Sequence, residues 1–403
     1  MEIKKYMRTV CMITQSPYPM DARPRKQAEL LVSNGFHVDI ICRAQTQNEA
    51  KVERFGNVTA YRMLKYSSNE KAHNYILESL SFFVVAFLKL QMLYIKKRYD
   101  LIQIHNMPNF HVFTAIIQKL LGASIVLDLH DLTVELLEVK WPGKKYAFLK
   151  KADKFLEKIS CKFADALITV SEGCKARLVN RGNPSSKITL VLNSANQNIF
   201  KFDNKRRFEK IDENAILLYH GTIAEHFGLH IAIEAMAEVN KIIPNSKFYI
   251  YGKYYPSYKD RLEKKIKDLN LTESVFLFGI ITLEECYLKI KEADIGIVPY
   301  VNNDYENIGL SNKTFEYTAS GLPVVASRLL SLQSIFDEEC IQYAEPENPA
   351  DFADKLIELC NNPQLRKDKT LKAYSALSKV SGSVMDSRYL SLITTQIKRK
   401  NDI

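Results

Sequence analysis

The residues best placed to do chemistry stand in one run: Gly309-Leu310-Ser311-Asn312-Lys313-Thr314-Phe315-Glu316, followed by YTAS and Gly321-Leu322-Pro323-Val324-Val325-Ala326. Ser311 or Asn312 can cap a helix, Gly321 ends it, and the PVVA segment reads as a buried strand. Lys313 and Glu316 are three residues apart and so share a helix face. There Lys313 suits a phosphate and Glu316 a diol; the plainer reading is a surface ion pair. A second candidate is His220-Gly221-Thr222-Ile223-Ala224-Glu225-His226-Phe227-Gly228. Gly221 permits close backbone approach, and Gly228 opens a helix whose first amides can meet a phosphate.

The first half offers three more. The loop Gln15–Arg23 lies between a strand end and a helix start, where backbone amides and the helix dipole converge. Arg23 and Arg25 either face an anion there or are solvated, with Asp21 capping the helix. The loop has no glycine, which excludes a dinucleotide fingerprint. His105 and His130 each end an apolar run (LIQIH and SIVLDLH). A neutral imidazole at either place can bond a sugar hydroxyl, or be satisfied inside the core. Asp128 and Asp131 flank His130, but one His and two alternating Asp do not converge reliably on a metal. No metal is expected.

The elements that must position these groups are short apolar strands separated by helical patterns. In the first half, strands are expected at 9–14, 38–42, 101–105, 124–129, 166–170 and 188–192, with a helix over about 23–34. In the second, strands are expected at 215–219, 247–251, 275–278, 295–298 and 323–326, with a helix over about 228–240. Continuous apolar runs alternating with helices indicate parallel sheets covered on both faces. The fold class is α/β, with two doubly wound, Rossmann-like domains facing across a cleft and ligands at the carboxyl ends of the strands. The first domain takes residues 1–200. Segment 201–214, polar and without periodicity, is the expected linker, and the second domain takes 215–382. An amphipathic helix follows at about 383–400.

Composition narrows the class. Of 403 residues, 46% are hydrophobic and 25% charged, which excludes a disordered chain. The seven cysteines are scattered and form no C-x-x-C pair, so neither a disulfide framework nor a zinc knuckle is expected, and a reducing, cytoplasmic setting fits. The opening MEIKKYMRTVCMIT has too short an apolar run for a secretory signal. Residues 1–200 hold 29 Lys and Arg against 17 Asp and Glu, an excess of 12, while the rest is near balance. Such a half-molecule attracts an anionic partner or is simply solvated. Nucleic acid is not expected, because no basic-aromatic binding motif is present. Segment 76–95 is long enough to span a bilayer, but Glu78 and Lys89 lie inside it and make spanning costly. An internal helix and a helix at the membrane interface remain the two readings, with Lys144, Lys145, Lys150 and Lys151 as possible additions to a lipid-facing surface.

Taken in order, these segments resemble the family 4 (group 1) retaining glycosyltransferases of the GT-B fold. The resemblance is carried by MITQSPYPMDARPRKQAELL, DLIQIHNMPNF, SIVLDLHDL, ADALITVSEGCKARL, YHGTIAEHFGLHIAIEAM and LSNKTFEYTASGLPVVAS, and covers almost the whole chain. Within the family it is most similar to bacterial enzymes of cell-surface polysaccharide assembly, such as lipopolysaccharide or capsule. It implies a metal-independent hexosyltransferase-like enzyme. The substrates would be a UDP- or GDP-linked sugar donor and a lipid-linked or other glycan acceptor. The setting would be cytoplasmic and peripheral on the inner face of the plasma membrane. By the resemblance, Glu316 holds the ribose and His130 contacts the transferred sugar, with Lys313 as a third catalytic group. Gly221, Thr222, Glu306, Asn307, Gly309, Leu310 and Ser311 border the donor, and Asp21, Arg23 and His105 border the acceptor or a phosphate. The last helix would pack on the first domain. The chain departs from the pattern at three places. Thr222 and Phe227 replace the Arg and Lys usual around the diphosphate, Ile308 replaces a second glutamate, and NSAN replaces an Asn-Gly-Val-Asp-like turn. Lys313, Arg23 and helix amides are the candidates to replace the lost cations. The other function these departures allow is a catalytically silent binder of nucleotide sugars or glycans.

Overall fold

Two parallel sheets organise the chain. The computed structural model describes residues 8–65 and 72–401. Residues 1–7 of the expected first domain, and with them the start of the segment weighed as a signal, lie outside the described residues. By contacts the chain divides into two units, residues 1–192 with 385–403, and residues 193–384.

The first unit holds eight strands: β1 (Thr9–Pro17), β2 (His37–Ala44), β3 (Val52–Phe55), β4 (Val58–Lys65), β5 (Leu101–His105), β6 (Ser124–Leu129), β7 (Ala166–Thr169) and β8 (Ile188–Leu190). Their order is β3-β4-β2-β1-β5-β6-β7-β8. All neighbours are parallel except β3 with β4. The central strands are buried along their length, as expected of strands covered on both faces. The antiparallel β3–β4 hairpin is absent from the expected elements, because β3 is exposed and lacks an apolar run. Its signal is the Gly56-Asn57 pair between the strands, a two-residue hairpin turn in which Gly56 takes a φ of 60°.

The second unit holds β9 (Ile216–His220), β10 (Lys247–Tyr251), β11 (Val275–Phe278), β12 (Ile295–Val298), β13 (Val324–Ser327) and β14 (Gln342–Ala344), in the order β11-β10-β9-β12-β13-β14 and all parallel. In each sheet the chain works outward from a central strand and then returns to that strand's other side, at β1/β5 and at β9/β12. The crevice outside the carboxyl ends of the strands at such a reversal is where open α/β sheets bind ligands.

Segment 201–214 does not behave as a free linker. The Phe202 ring packs tilted against that of Tyr374, centres 4.2 Å apart, Arg206 donates to the carbonyls of Ile290 and Ala293, and the Ile211 amide donates to the Cys360 carbonyl. These bonds strap it to the second unit, which begins at Asn193. Polarity alone read as a linker here because the bonds go to backbone carbonyls, which leave no periodic pattern.

The last helix, Gly382–Asn401, belongs to the first unit from Met385 onward. Tyr389 is fully buried and its Oη donates to Gln103 Oε1 at 2.7 Å. Gln103 donates to Gln27, and Gln27 to Asp128. Tyr389→Phe removes one donor from this buried chain. It should destabilise the first unit by about 1–2 kcal/mol, read as a lower urea midpoint at unchanged slope.

Candidate functional site

The second unit's crevice is built from the loops after β9 and β12. Two glycines bring its walls together. Gly228, with a φ of 65°, lies so close to Pro299 that a Cβ would fall 1.8 Å from the Pro299 carbonyl oxygen. A Cβ on Gly252 would fall 1.7 Å from the Gly221 carbonyl oxygen. The Gly221–Gly228 loop is thus pinned from both sides. The helix Leu229–Ile242 starts from Gly228, but two of its first amides are already taken, His230 donating to Tyr258 Oη at 3.2 Å and Ile231 to the Gly228 carbonyl at 2.9 Å.

The helix Asn312–Ala319 opens beside that loop. Ser311 stands at its N-cap position without a side-chain cap bond; instead its Oγ accepts from the Tyr300 hydroxyl at 3.2 Å. Lys313 is buried rather than paired at the surface. Its Nζ donates to Tyr300 Oη at 2.5 Å and lies 4.7, 5.0 and 4.9 Å from the ring centres of Tyr219, Phe227 and Tyr300. Three aromatic faces offer an ammonium attraction but only weak compensation for lost water. Burial accordingly lowers its pKa to about 8, against the raising influence of Glu306 and Glu316. A Cβ on Gly221 would come within 3.2 Å of Lys313 Cε, so the missing side chain leaves that ammonium its place.

Glu316 follows one turn later, largely buried, with Oε2 3.2 Å from His220 Nε2. Burial pushes its pKa up to about 7, opposed by the Lys313 charge. Burial and the same lysine hold His220 down to about 3, so the imidazole is neutral and the contact is not a charged pair. Glu306 is buried with Oε1 3.7 Å from His226 Nε2. Asn307 and Gly309 shape the loop between: the Asn307 side chain receives the Leu330 amide, and the Gly309 carbonyl accepts from Ser331 Oγ. Thr222 is exposed, and its carbonyl accepts from Tyr219 Oη. Leu310 is half-buried beside them.

In the first unit the expected residues turn inward. Asp21 caps the helix Ala22–Ser33 by accepting the Arg23 amide, and it also receives the Ser16 hydroxyl. Arg23 is not solvated, and the anion it faces is one of the protein's own carboxylates. Its guanidinium forks onto Asp128 at 2.8 and 2.9 Å and also donates to the Val191 carbonyl. Arg25 is exposed and pairs with Glu29. His105 is fully buried with Nδ1 3.4 Å from Asp128. Arg23 and His105 therefore serve the buried carboxylate, whose pKa they hold well below the usual range. His130 sits at the rim of this cluster, its ring centre 6.4 Å from that of His105, its backbone amide held by Asn106. Burial lowers its pKa, leaving a neutral imidazole. The ligand atoms of His105, Asp128 and His130 do converge within 4.8 Å. The Arg23 fork already occupies the carboxylate, so a cation would have to displace it.

Sequence reasoning singled out Lys313, Glu316 and Gly221, which the structure brings together. It overlooked His220, Tyr219 and Tyr300 as neighbours of those groups. Their signal was position: His220 ends β9, and Tyr300 follows β12 by two residues. Phe227, noted only as a missing cation, is a wall around a different one.

Residues 25–197 match the model of Glycosyltransferase Family 4, and residues 200–375 that of Glycosyl transferases group 1. The chain is 32% identical over 170 residues to a poly(ribitol-phosphate) alpha-N-acetylglucosaminyltransferase of Staphylococcus aureus, a match spanning 40% of this chain and a third of that relative's length. Among solved structures it resembles a sucrose-phosphate synthase of Thermosynechococcus elongatus, with a TM-score of 0.80, 19% identity, and coverage of 97% of this chain and all of that one. It also resembles Anabaena HepE in complex with UDP and glucose, with a TM-score of 0.71, 13% identity, and coverage of 96% and 100%.

Proposed function

The chain belongs to glycosyltransferase family 4, group 1, and has the GT-B fold of two Rossmann-like α/β domains; on that premise we propose that it is a retaining, metal-independent glycosyltransferase of surface-glycan synthesis. Its second unit binds a UDP- or GDP-linked sugar and its first unit serves a lipid-linked glycan acceptor, at the cytoplasmic face of a membrane. The observation that carries this reading is the buried Lys313 ammonium beside Glu316, at the carboxyl ends of β9 and β12. A nucleoside diphosphate needs its negative charge met and its ribose hydroxyls accepted. Lys313 supplies the first, and the Glu316 carboxylate the second. As the glycosidic bond breaks, charge grows on the diphosphate, and a preorganised cation in a dry site stabilises it most at that moment. His130, neutral at the edge of the first sheet, is available to a sugar hydroxyl. The seven described cysteines are free and buried, which suits a reducing compartment.

The test is turnover of a panel of nucleotide sugars with a polyprenyl-diphosphate-linked sugar acceptor, the product's anomeric configuration being read by NMR. Transfer with the donor's configuration kept supports the reading. Inversion overturns its retaining part, and donor binding without turnover makes the protein a silent binder.

The pKa values predict how donor binding depends on pH. Glu316 accepts two hydroxyl protons only when ionised, above about pH 7, and Lys313 is charged only below about pH 8. Affinity for the matching nucleotide sugar, whose two substituted phosphates stay ionised throughout this range, should therefore peak between these values and fall about tenfold per pH unit on either side. Calorimetric titrations from pH 5.5 to 9.5 check it; Glu316→Gln should remove the acid limb and, by taking away a charge that raises the Lys313 pKa, bring the alkaline fall to lower pH.

A further inference from the structure

The first unit leaves a long apolar face uncovered among the described residues. The helix Ala72–Lys96 packs Phe82, Ala86 and Leu90 inward, each at 0% exposure. On its other side Leu77, Leu80, Val84, Leu88, Met92 and Ile95 recur every three or four residues, and each is 49–87% exposed. At 1.5 Å per residue this stripe runs about 27 Å. A soluble helix carries polar residues on such a face.

The stripe does not stand alone. Gln118 donates to Gln91 at 2.7 Å, which holds the short helix Ile116–Leu120 alongside, with Leu120 82% exposed. Lys119 bonds the Phe163 carbonyl at the end of the helix Ala147–Phe163. That third helix exposes Phe148 and Phe155, seven residues apart and thus on one face, with Lys151, Lys154, Lys158 and Lys162 exposed around them. Lys96 and Arg98 are exposed where the stripe ends. Lys150, by contrast, is spent on Glu138.

We propose that this face docks on the anionic surface of a lipid bilayer. The stripe lies in the plane of the interface, the two phenylalanines enter among the headgroups, and the lysines meet the anionic charge. The helix does not span, because its inner side is part of the unit's core and Glu78 is paired with Arg43 there. A second copy is disfavoured by charge, since a twofold contact would bring the same lysines near one another. The inference deepens the lipid-linked-acceptor part of the proposed function and rests on it for its biological meaning. Its test needs no transfer reaction.

The experiment is flotation of the whole protein with phosphatidylcholine vesicles and with vesicles of phosphatidylcholine and phosphatidylglycerol, at low and high salt. The wild type should float with the anionic vesicles, less so at high salt. Leu80→Ser/Leu88→Ser/Phe148→Ser and, separately, Lys151→Glu/Lys158→Glu should each weaken this about tenfold or more. Both variants replace exposed residues, and both should keep the wild-type circular dichroism and unfolding midpoint, which shows that they are folded. The proposal falls if the wild type ignores anionic vesicles at low salt, or if both variants bind them as the wild type does. It falls also if size-exclusion chromatography gives a dimer that the apolar variant dissolves while vesicles capture nothing. Vesicle binding with no turnover of any donor would leave this surface standing and remove the transferase reading instead.

Discussion

Glu316→Ala should abolish the stabilisation that nucleoside diphosphates confer, with a loss of affinity of about two orders of magnitude. A carboxylate that accepts both ribose hydroxyls makes two charge-assisted bonds, and each is worth about 1.5–3 kcal/mol when the alternative is an unsatisfied group. The carboxyl is held in place before any ligand arrives, by the helix turn it shares with Lys313. Little ordering cost therefore offsets the bonds. Glu316→Gln keeps the shape but one acceptor atom, so its loss should be nearer tenfold. Calorimetry with UDP and GDP reads both, and a 2′-deoxy analogue completes the cycle. The deoxy compound should bind wild type poorly, and Glu316→Ala should hardly distinguish it from the ribonucleotide. If the variant binds ribonucleotides as the wild type does, the ribose lies elsewhere and the role given to Glu316 is wrong. His220→Ala should cost less, because its neutral imidazole lies 3.2 Å from the carboxyl without a hydrogen bond to it.

Much of the scaffold was legible because its signals are local. Strands such as Leu101–His105, Ser124–Leu129 and Lys247–Tyr251 are continuous apolar runs, and the structure places them at the residues the pattern indicates. The exposed β3 and the three-residue β14 escaped, since neither has enough apolar residues to show a period, and the largely buried β4 escaped because Arg62 and Lys65 break up its apolar residues. At the site, Lys313 and Glu316 were readable from spacing because a helix turns spacing into a shared face. The environment of Lys313 was not. Tyr219, Phe227 and Tyr300 come from three separate segments, and only the β9/β12 reversal brings them around one atom. Arg23 illustrates the opposite failure. A basic residue at a helix start is a sound anion candidate on local grounds, but Asp128, about a hundred residues away, takes its guanidinium.

Lys313→Met should move two readouts in opposite directions. In the free protein the lysine is a buried cation whose neighbours are the Tyr300 hydroxyl and three rings, and the cost of keeping it charged shows in its lowered pKa. Methionine has similar volume and suits an aromatic surround, while Tyr300 keeps its bond to Ser311. The unliganded variant should therefore melt at the wild-type temperature or above it. Turnover should fall about a thousandfold, because the interaction removed is strongest when the leaving diphosphate carries most charge. Binding of a nucleoside without phosphates should be unchanged, since Glu316 still holds its ribose. Lys313→Arg should not restore full activity: the ammonium is enclosed by three ring centres within 5.0 Å, and a larger planar guanidinium must displace them to fit. Rescue should come instead from Phe227. Its ring centre is 5.0 Å from the ammonium and it stands where family members usually have lysine, so Phe227→Lys on the Lys313→Met background returns a cation to the same space from the opposite wall. Recovery of more than about tenfold in turnover would show that the charge, rather than the residue bearing it, is what the site requires. A dead double variant that still binds nucleoside would instead assign Lys313 a positional role that another cation cannot fill.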